Sequence, residues 1–227
     1  MAEDRHTRND GRPDGRDTRW TGHRAERRDQ VLTAALTVIG REGTTVSVAA
    51  IGAEAGMPRS VVYRIFRSRE DLDEQIRARI TDELMAALSP ALDPRGTIRE
   101  AIEHAAATYV GWVALHPHLH RFLGTGSPAV TGTRTAVALH LARLLDSYAD
   151  RFLPDGERAP TGFQLNLAFA MVGLVDGVVN QWAAHPESGS SLDDLTLFLS
   201  DALWGVLASA TARLGIKLDP DQPVGPT

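Results

Sequence analysis

Arg59, Ser60, Tyr63 and Arg64 lie together within the nine-residue stretch PRSVVYRIF, from Pro58 to Phe66, and Arg69 follows shortly after. An arginine fork pairs with a guanine edge through two hydrogen bonds, while hydroxyls and further cations suit phosphate oxygens. On a 3.6-residue repeat Val62 and Phe66 share one face, and Arg59, Ser60 and Tyr63 share another. One side of such a helix packs while the other is free to read a groove. The chemistry on offer is therefore nucleic-acid contact.

Other groupings offer less. His116, His118 and His120 fall in LHPHLHR, with His104 upstream, but alternate residues diverge on a helix and Pro117 interrupts the segment. Only His116 and His120 match a zinc-ligand spacing, across that proline, so no metal site is predicted. Gly124 to Arg134, GTGSPAVTGTR, lacks the Gly-Lys-Ser/Thr ending and the preceding strand of a phosphate loop, and reads as a flexible connection. Ser127, Ser188, Ser190 and Ser191 have no nucleophile elbow around them, and nothing requires a catalytic pairing of His185 with Asp176. No catalytic residue and no cofactor is assigned, and the chain is not read as an enzyme.

The elements that position the basic cluster follow from their stop and start signals. Ser47 is a good N-cap for a helix through Val48 to Ala55, which Gly56 ends. Pro58 supplies a preset φ at the first position of the next helix. Ala50 and Gly52 are small enough for another backbone to approach, although Gly52 costs about 1 kcal/mol of helix stability against alanine. Upstream, Val31, Leu32, Ala35, Leu36 and Ile39 recur at helical spacing and Gly43 follows as a stop. Downstream, a helix from Glu70 through Leu88 carries Leu72, Ile76, Ile80, Leu84 and Leu88 as one stripe, linking head to body.

With Ala34-Ala35, Gly43, Ser47, Ile51-Gly52, Ala55-Gly56, Tyr63, Phe66 and Arg69-Glu70-Asp71-Leu72 in this order, the segment from Arg27 to Ile76 resembles the N-terminal pattern of TetR-type transcriptional regulators. Three positions depart from it: Gly52 stands where the family often has alanine, Arg69 where it has lysine, and Ile65 where it has a polar residue. Ile65 cannot donate a hydrogen bond to the DNA backbone. Arg59 is assigned as leading base reader and Arg64 as second, with Ser60 and Val61 at base edges or a thymine methyl. Ser47, Tyr63 and Arg69 are assigned to phosphates, with packing as the alternative for Tyr63.

The remaining chain matches that family only in length and helical character. Helices are predicted over Thr97 to His116, Leu119 to Leu123, Ala129 to Phe152, Gly162 to His185 and Ser191 to Leu214, giving an all-α fold of a three-helix DNA-binding head and a helical body. The segment GFQLNLAFAMVGLVDGVVNQW, Gly162 to Trp182, approaches membrane hydropathy, but Gln164, Asn166, Asp176 and Asn180 would be costly in lipid. It is read as a buried helix, and no membrane partner is expected. The resemblance implies a homodimer through the last two helices, with Gly173, Gly177, Leu195, Phe198, Leu199 and Leu203 at the interface. Packing of the two glycines inside one subunit is the alternative that spacing leaves open.

Hydrophobic residues make up 43% of the 227, enough for a sizeable core, and cysteine is absent, so disulfides are excluded. The net charge of -5 divides unevenly: 14 Lys+Arg face 13 Asp+Glu up to residue 77, against 10 and 16 beyond it. The acidic excess thus lies away from the proposed DNA contact. Residues 1–23 carry almost no aliphatic side chains and read as a flexible arm, in which Arg12, Arg16 and Arg19 are offset by Asp10, Asp14 and Asp17. The polar N-terminus shows no signal peptide, consistent with a cytoplasmic protein. Residues 24–77 form the head, 78–216 the regulatory and dimerisation body, and 217–227 a disordered tail.

A regulator also needs an input. Tyr109, Trp112, His116, Phe122, Phe169, Met171, Asn180 and Trp182 are the residues expected to line an apolar pocket for an unidentified small molecule. The resulting expectation is a homodimeric repressor released from a palindromic DNA operator by a largely apolar ligand. The rival is an all-α small-molecule-binding or enzymatic protein whose helix-turn-helix is only structural.

Overall fold

The computed structural model describes residues 15–92, 95–124, 127–152, 159–185 and 190–224. Among them are nine helices: α1 (Gly15–Glu42), α2 (Val48–Glu54), α3 (Arg59–Ile65), α4 (Arg69–Leu88), α5 (Ile98–Leu115), α6 (Pro117–Leu123), α7 (Ser127–Phe152), α8 (Phe163–Ala184) and α9 (Leu192–Ala212). No strand occurs among the described residues. An isolated bridge joins Thr97 to Pro223.

The helix starts follow their caps. The Ser47 hydroxyl accepts from the Ala50 amide at 3.0 Å, and Ser68 does the same for Asp71 at 3.1 Å. Thr97 with Glu100 and Ser191 with Asp194 form capping boxes at α5 and α9. Pro58 is the N-cap of α3 and not its first helical residue. Helix α2 ends through Gly56 at φ +64, the left-handed region that favours glycine.

The five stripe residues of α4 are all buried, from Leu72 in the head to Leu88 in the body. Each such side chain contributes about 1.5 to 3 kcal/mol through burial. One hydrophobic cluster therefore runs from Val31 and Ile51 through Ile76 and Ile80 to Val110, Trp112 and Leu199. A second gathers Ile98, Leu167, Met171, Leu203, Leu207 and Val224 at the far end of the body.

Several boundaries differ from the sequence reading. Helix α1 already begins at Gly15, so the arm predicted over 1–23 is helical from there on, while residues 1–14, including Arg12, lie outside the described residues. Once a packed segment nucleates a helix, each added residue forms another hydrogen bond at little cost, and no proline interrupts 15–24. The connection expected across Gly124 to Arg134 is likewise helical from Ser127.

The expectation of a disordered tail is overturned for residues 217–224, while 225–227 lie outside the described residues. The amides of Ile98 and Arg99 donate to the carbonyls of Gln222 and Pro220 at 3.0 Å each, and Val224 donates to Gly96 at 2.9 Å. The tail thus supplies acceptors for the open N-H groups at the start of α5. Val224 is buried, and Leu218 packs against the same cluster. Two aliphatic side chains in a proline-rich segment, with preset φ and a waiting helix end, suffice to order it.

Helix α8 is not buried all round, contrary to the sequence reading. It packs on α7 and α9, yet Leu165 and Phe169 stay exposed, as do Leu192, Leu197 and Phe198 on α9. Both helices are long and apolar enough to cross a membrane by length and composition.

Candidate functional site

Helix α3 owes its position to Val62, Ile65 and Phe66, which enter the head core. Gly52 makes this docking close: a Cβ there would meet the Met57 carbonyl oxygen at 2.6 Å. From α1, Gln30 Nε2 donates to the Ala55 carbonyl at 2.9 Å, pinning the turn. The opposite face of α3 presents Arg59, Ser60, Tyr63 and Arg64 to solvent. Val61 lies between the two faces, half-buried against the core.

On that face the Arg59 guanidinium lies 5.4 Å from the centre of the Tyr63 ring. Its Nη2 stands 3.5 Å from the phenol oxygen. Stacking holds the fork near the helix while leaving its donors accessible. Ser47 is exposed as well; its oxygen caps α2, and its hydroxyl also carries a proton it can donate.

Arg69 is half-buried and bonded within the head. Its Nε bonds the Asp73 carboxylate at 2.9 Å and its Nη1 donates to the Val46 carbonyl at 2.7 Å. These bonds tie α4 to the segment before α2, so within the head Arg69 acts as a tether through Nε and Nη1. The charge is the same either way, so residue type alone gave no sign of it.

In the body, a cavity of about 280 Å³ lies among α4, α5, α7, α8, α9 and the C-terminal segment. Of the eight residues expected to line a pocket, Tyr109 and Met171 do so. Trp112 and Phe122 belong to the core instead. His116 caps two helices and lies against the Trp112 ring. Phe169 and Asn180 face outward, Asn180 donating to the Asp176 carbonyl, and Trp182 donates to the Ser190 carbonyl. Helix phase explains the misses: aromatic size marks burial but not which void a side chain reaches. The wall is built mainly from aliphatic residues and alanines that carry no distinguishing signal in sequence.

The histidines of LHPHLHR separate. His118 Nδ1 lies 3.0 Å from the Gly40 carbonyl oxygen of α1, whereas His120 is buried with Nε2 3.2 Å from the Tyr109 hydroxyl. Burial holds the His120 ring below its usual pKa, opposed by the charge of Asp176 and reinforced by Arg121. Burial, then Asp176, push the Tyr109 phenol well above its ordinary range. Both groups are therefore neutral near pH 7. Asp176 is ion-paired with Arg134 across α7 and α8. Neither member of that pair was assigned to a ligand site from sequence, because they are 42 positions apart.

The interface assignments divide in the same manner. Gly173, Gly177 and Phe198 are exposed, and nothing lies within 4 Å of a Cβ placed on either glycine. Leu195, Leu199 and Leu203 are buried in this chain's own clusters, which removes them from an outer face. On α9, Phe198 precedes Leu199 by one residue, a turn of about 100° that separates outside from inside.

Comparison with known proteins agrees with the geometry. The sequence model described as bacterial regulatory proteins, tetR family, matches residues 31–76, which span the head from mid-α1 into α4. Two curated relatives, the uncharacterized HTH-type transcriptional regulators Rv0472c and MT0489 of Mycobacterium tuberculosis strains H37Rv and CDC 1551, are each 30% identical over 206 residues. Each alignment covers 86% of this chain and 84% of the relative. A solved tetR-family transcriptional regulator from Streptomyces coelicolor shares the fold with a TM-score of 0.67 at 20% identity, over 84% of this chain and 86% of that one.

Proposed function

The chain belongs to the tetR family of bacterial regulatory proteins and is a DNA-binding transcriptional regulator, and from that premise we propose that it acts as a homodimeric repressor that leaves a palindromic operator when a small, largely apolar molecule fills the body cavity. The observation that carries this reading is the division of α3, with Val62, Ile65 and Phe66 in the core and Arg59, Ser60, Tyr63 and Arg64 free on the outer face. Arg59 reads a base, Arg64 a second, and Ser60 and the exposed edge of Val61 meet base edges or a thymine methyl. Ser47 and Tyr63 set register on phosphates.

Dimerisation uses the outer faces of α8 and α9, where Phe169 and Phe198 are exposed beside the open backbone at Gly173 and Gly177. Two heads related by a two-fold axis then meet half-sites about 34 to 36 Å apart. Bacterial operator DNA places this work in the cytoplasm. Ligand reaches the heads through α6: its His120 bonds Tyr109 of the cavity wall, its His118 meets Gly40 of α1, and its Phe122 lies 5.5 Å beneath the Arg77 guanidinium of α4. A ligand that prefers one setting of α6 shifts the spacing of the heads.

The test is binding of the purified protein to its own upstream intergenic DNA and to a scrambled duplex of equal length, across a salt series. Selective binding with a steep salt dependence is expected. Equal binding to both duplexes at every salt concentration would remove the sequence-reading role from α3.

A further inference from the structure

The lining of the body cavity specifies the class of molecule it holds. Along α5 the wall runs through Ile98, Ala101, Ile102, Ala105, Ala106 and Tyr109, one face of the helix. Ile98 and Tyr109 are about 16 Å apart along that axis at 1.5 Å per residue. The alanines between them leave a channel where larger residues would fill it. At the Ile98 end the C-terminal segment closes the space with Ile216, Leu218 and Val224, held by the backbone bonds of Gln222, Pro220 and Val224 to the start of α5 and to Gly96.

At the Tyr109 end stand the charged groups. Arg134 and Asp176 are the charged side chains of the wall among the described residues, and they neutralise each other. Toward the Ile98 end Thr211 donates to the Leu207 carbonyl and Gln164 to Asp146, and Tyr148 has a partner as well, so these polar groups are engaged within the fold. Tyr109 shares one hydrogen bond with His120. In either histidine tautomer the phenol keeps one hydrogen-bonding position, as an acceptor if it donates to Nε2 and as a donor if it accepts.

We propose that the cavity binds an elongated, uncharged molecule, with an apolar body along α5 and one hydroxyl or similar neutral polar group against Tyr109. A carboxylate at that end would face Asp176 and an ammonium group would face Arg134, each losing its hydration with no unpaired counter-charge to meet it. The inference rests on the reading of this cavity as the effector site and gives that site its chemistry. The tail sets the length the ligand can have.

The test titrates the full-length protein with decanol, decanoate and decylamine at neutral pH by calorimetry, with operator binding followed in parallel. Decanol is expected to bind about ten-fold or more tightly than either ion, and Tyr109→Phe to weaken decanol about five-fold, the equivalent of one hydrogen bond. Ala105→Phe, with folding checked by its melting temperature, is expected to block the channel and abolish binding. Binding of decanoate or decylamine as tight as that of decanol overturns the proposal, as does failure of all three to bind or unchanged decanol affinity in both variants. If decanol binds with the stated preference and the operator complex is unaffected, the effector reading fails and the ligand class stands. If decanoate binds best and releases operator, the ligand class fails and the effector reading stands.

Discussion

The Tyr109 hydroxyl and His120 Nε2 lie 3.2 Å apart, joining the cavity wall on α5 to the short helix α6 that lies against the head. His120 is buried, and its pKa is held below the ordinary value of 6.5, chiefly by desolvation. A base with a depressed folded pKa is neutral in the fold and charged in the unfolded chain at mildly acidic pH. Its contribution to stability is therefore complete above pH 6.5 and is lost as pH falls below it. The melting temperature should decline through that window in the native protein, and His120→Gln should flatten the decline. The lowered carboxylates Glu70, Asp71 and Asp194 act in a more acidic range, below their ordinary values of 4.5 and 3.8. An equal decline in His120→Gln would assign the effect to other groups.

Gly52 sets helix propensity against packing. Replacing an interior helical glycine by alanine ordinarily stabilises by about 1 kcal/mol. Here the new Cβ would stand 2.6 Å from the Met57 carbonyl oxygen, a backbone atom fixed by the turn, and 3.5 Å from Val62 Cγ2. Relief requires moving α3 away from α2, which should cost about 1 to 3 kcal/mol net. Urea denaturation of Gly52→Ala is expected to show a lower midpoint; a higher one would mean that the turn yields without loss.

The legible parts of this molecule are those in which the signal is local. Ser47, Gly56, Thr97 and Ser191 mark helix ends through bonds to residues three or four positions away, and the structure keeps nearly every predicted helix within a few residues. The stripe from Leu72 to Leu88 was readable for the same reason. What escaped depends on contacts distant in sequence. Arg69 is diverted to Val46, Arg134 reaches Asp176, and the tail returns to the start of α5 across more than a hundred residues. Most of the cavity wall escaped because it is defined by what alanines leave empty, and composition records only what is present.

Arg59 and Tyr63 are neighbours on the outer face of α3, yet they should fail in different ways. If Arg59 reads a base as proposed, Arg59→Ala is expected to cost about 1 to 3 kcal/mol on the operator while relaxing preference at that base. Tyr63→Phe removes the polar end of the contact with Arg59 and, on the proposed phosphate role of Tyr63, a backbone donor, so it should weaken every duplex alike. Competition binding against single-base operator variants separates the two. If Arg59→Ala retains the full preference at every position, base reading belongs to another side chain, with Arg64 next in line.

Phe198 and Leu199 provide the sharpest separation of assembly from folding, because these adjacent residues on α9, about 100° apart around the helix, face solvent and core respectively. Phe198 is 59% exposed, while Leu199 is fully buried in the main cluster. Leu199→Ala should leave a cavity and cost about 2 to 5 kcal/mol in the stability of each subunit. Phe198→Glu leaves that core untouched. If α8 and α9 form the dimer face, the glutamate places a charge in an apolar interface, and symmetry does so twice. Light scattering should then show a monomer that keeps its helical content and its thermal unfolding, and operator affinity should fall because a single head meets only one half-site. A dimer that survives Phe198→Glu at micromolar concentration would place the interface on another face, and would leave the exposed phenylalanine without a partner in this assembly.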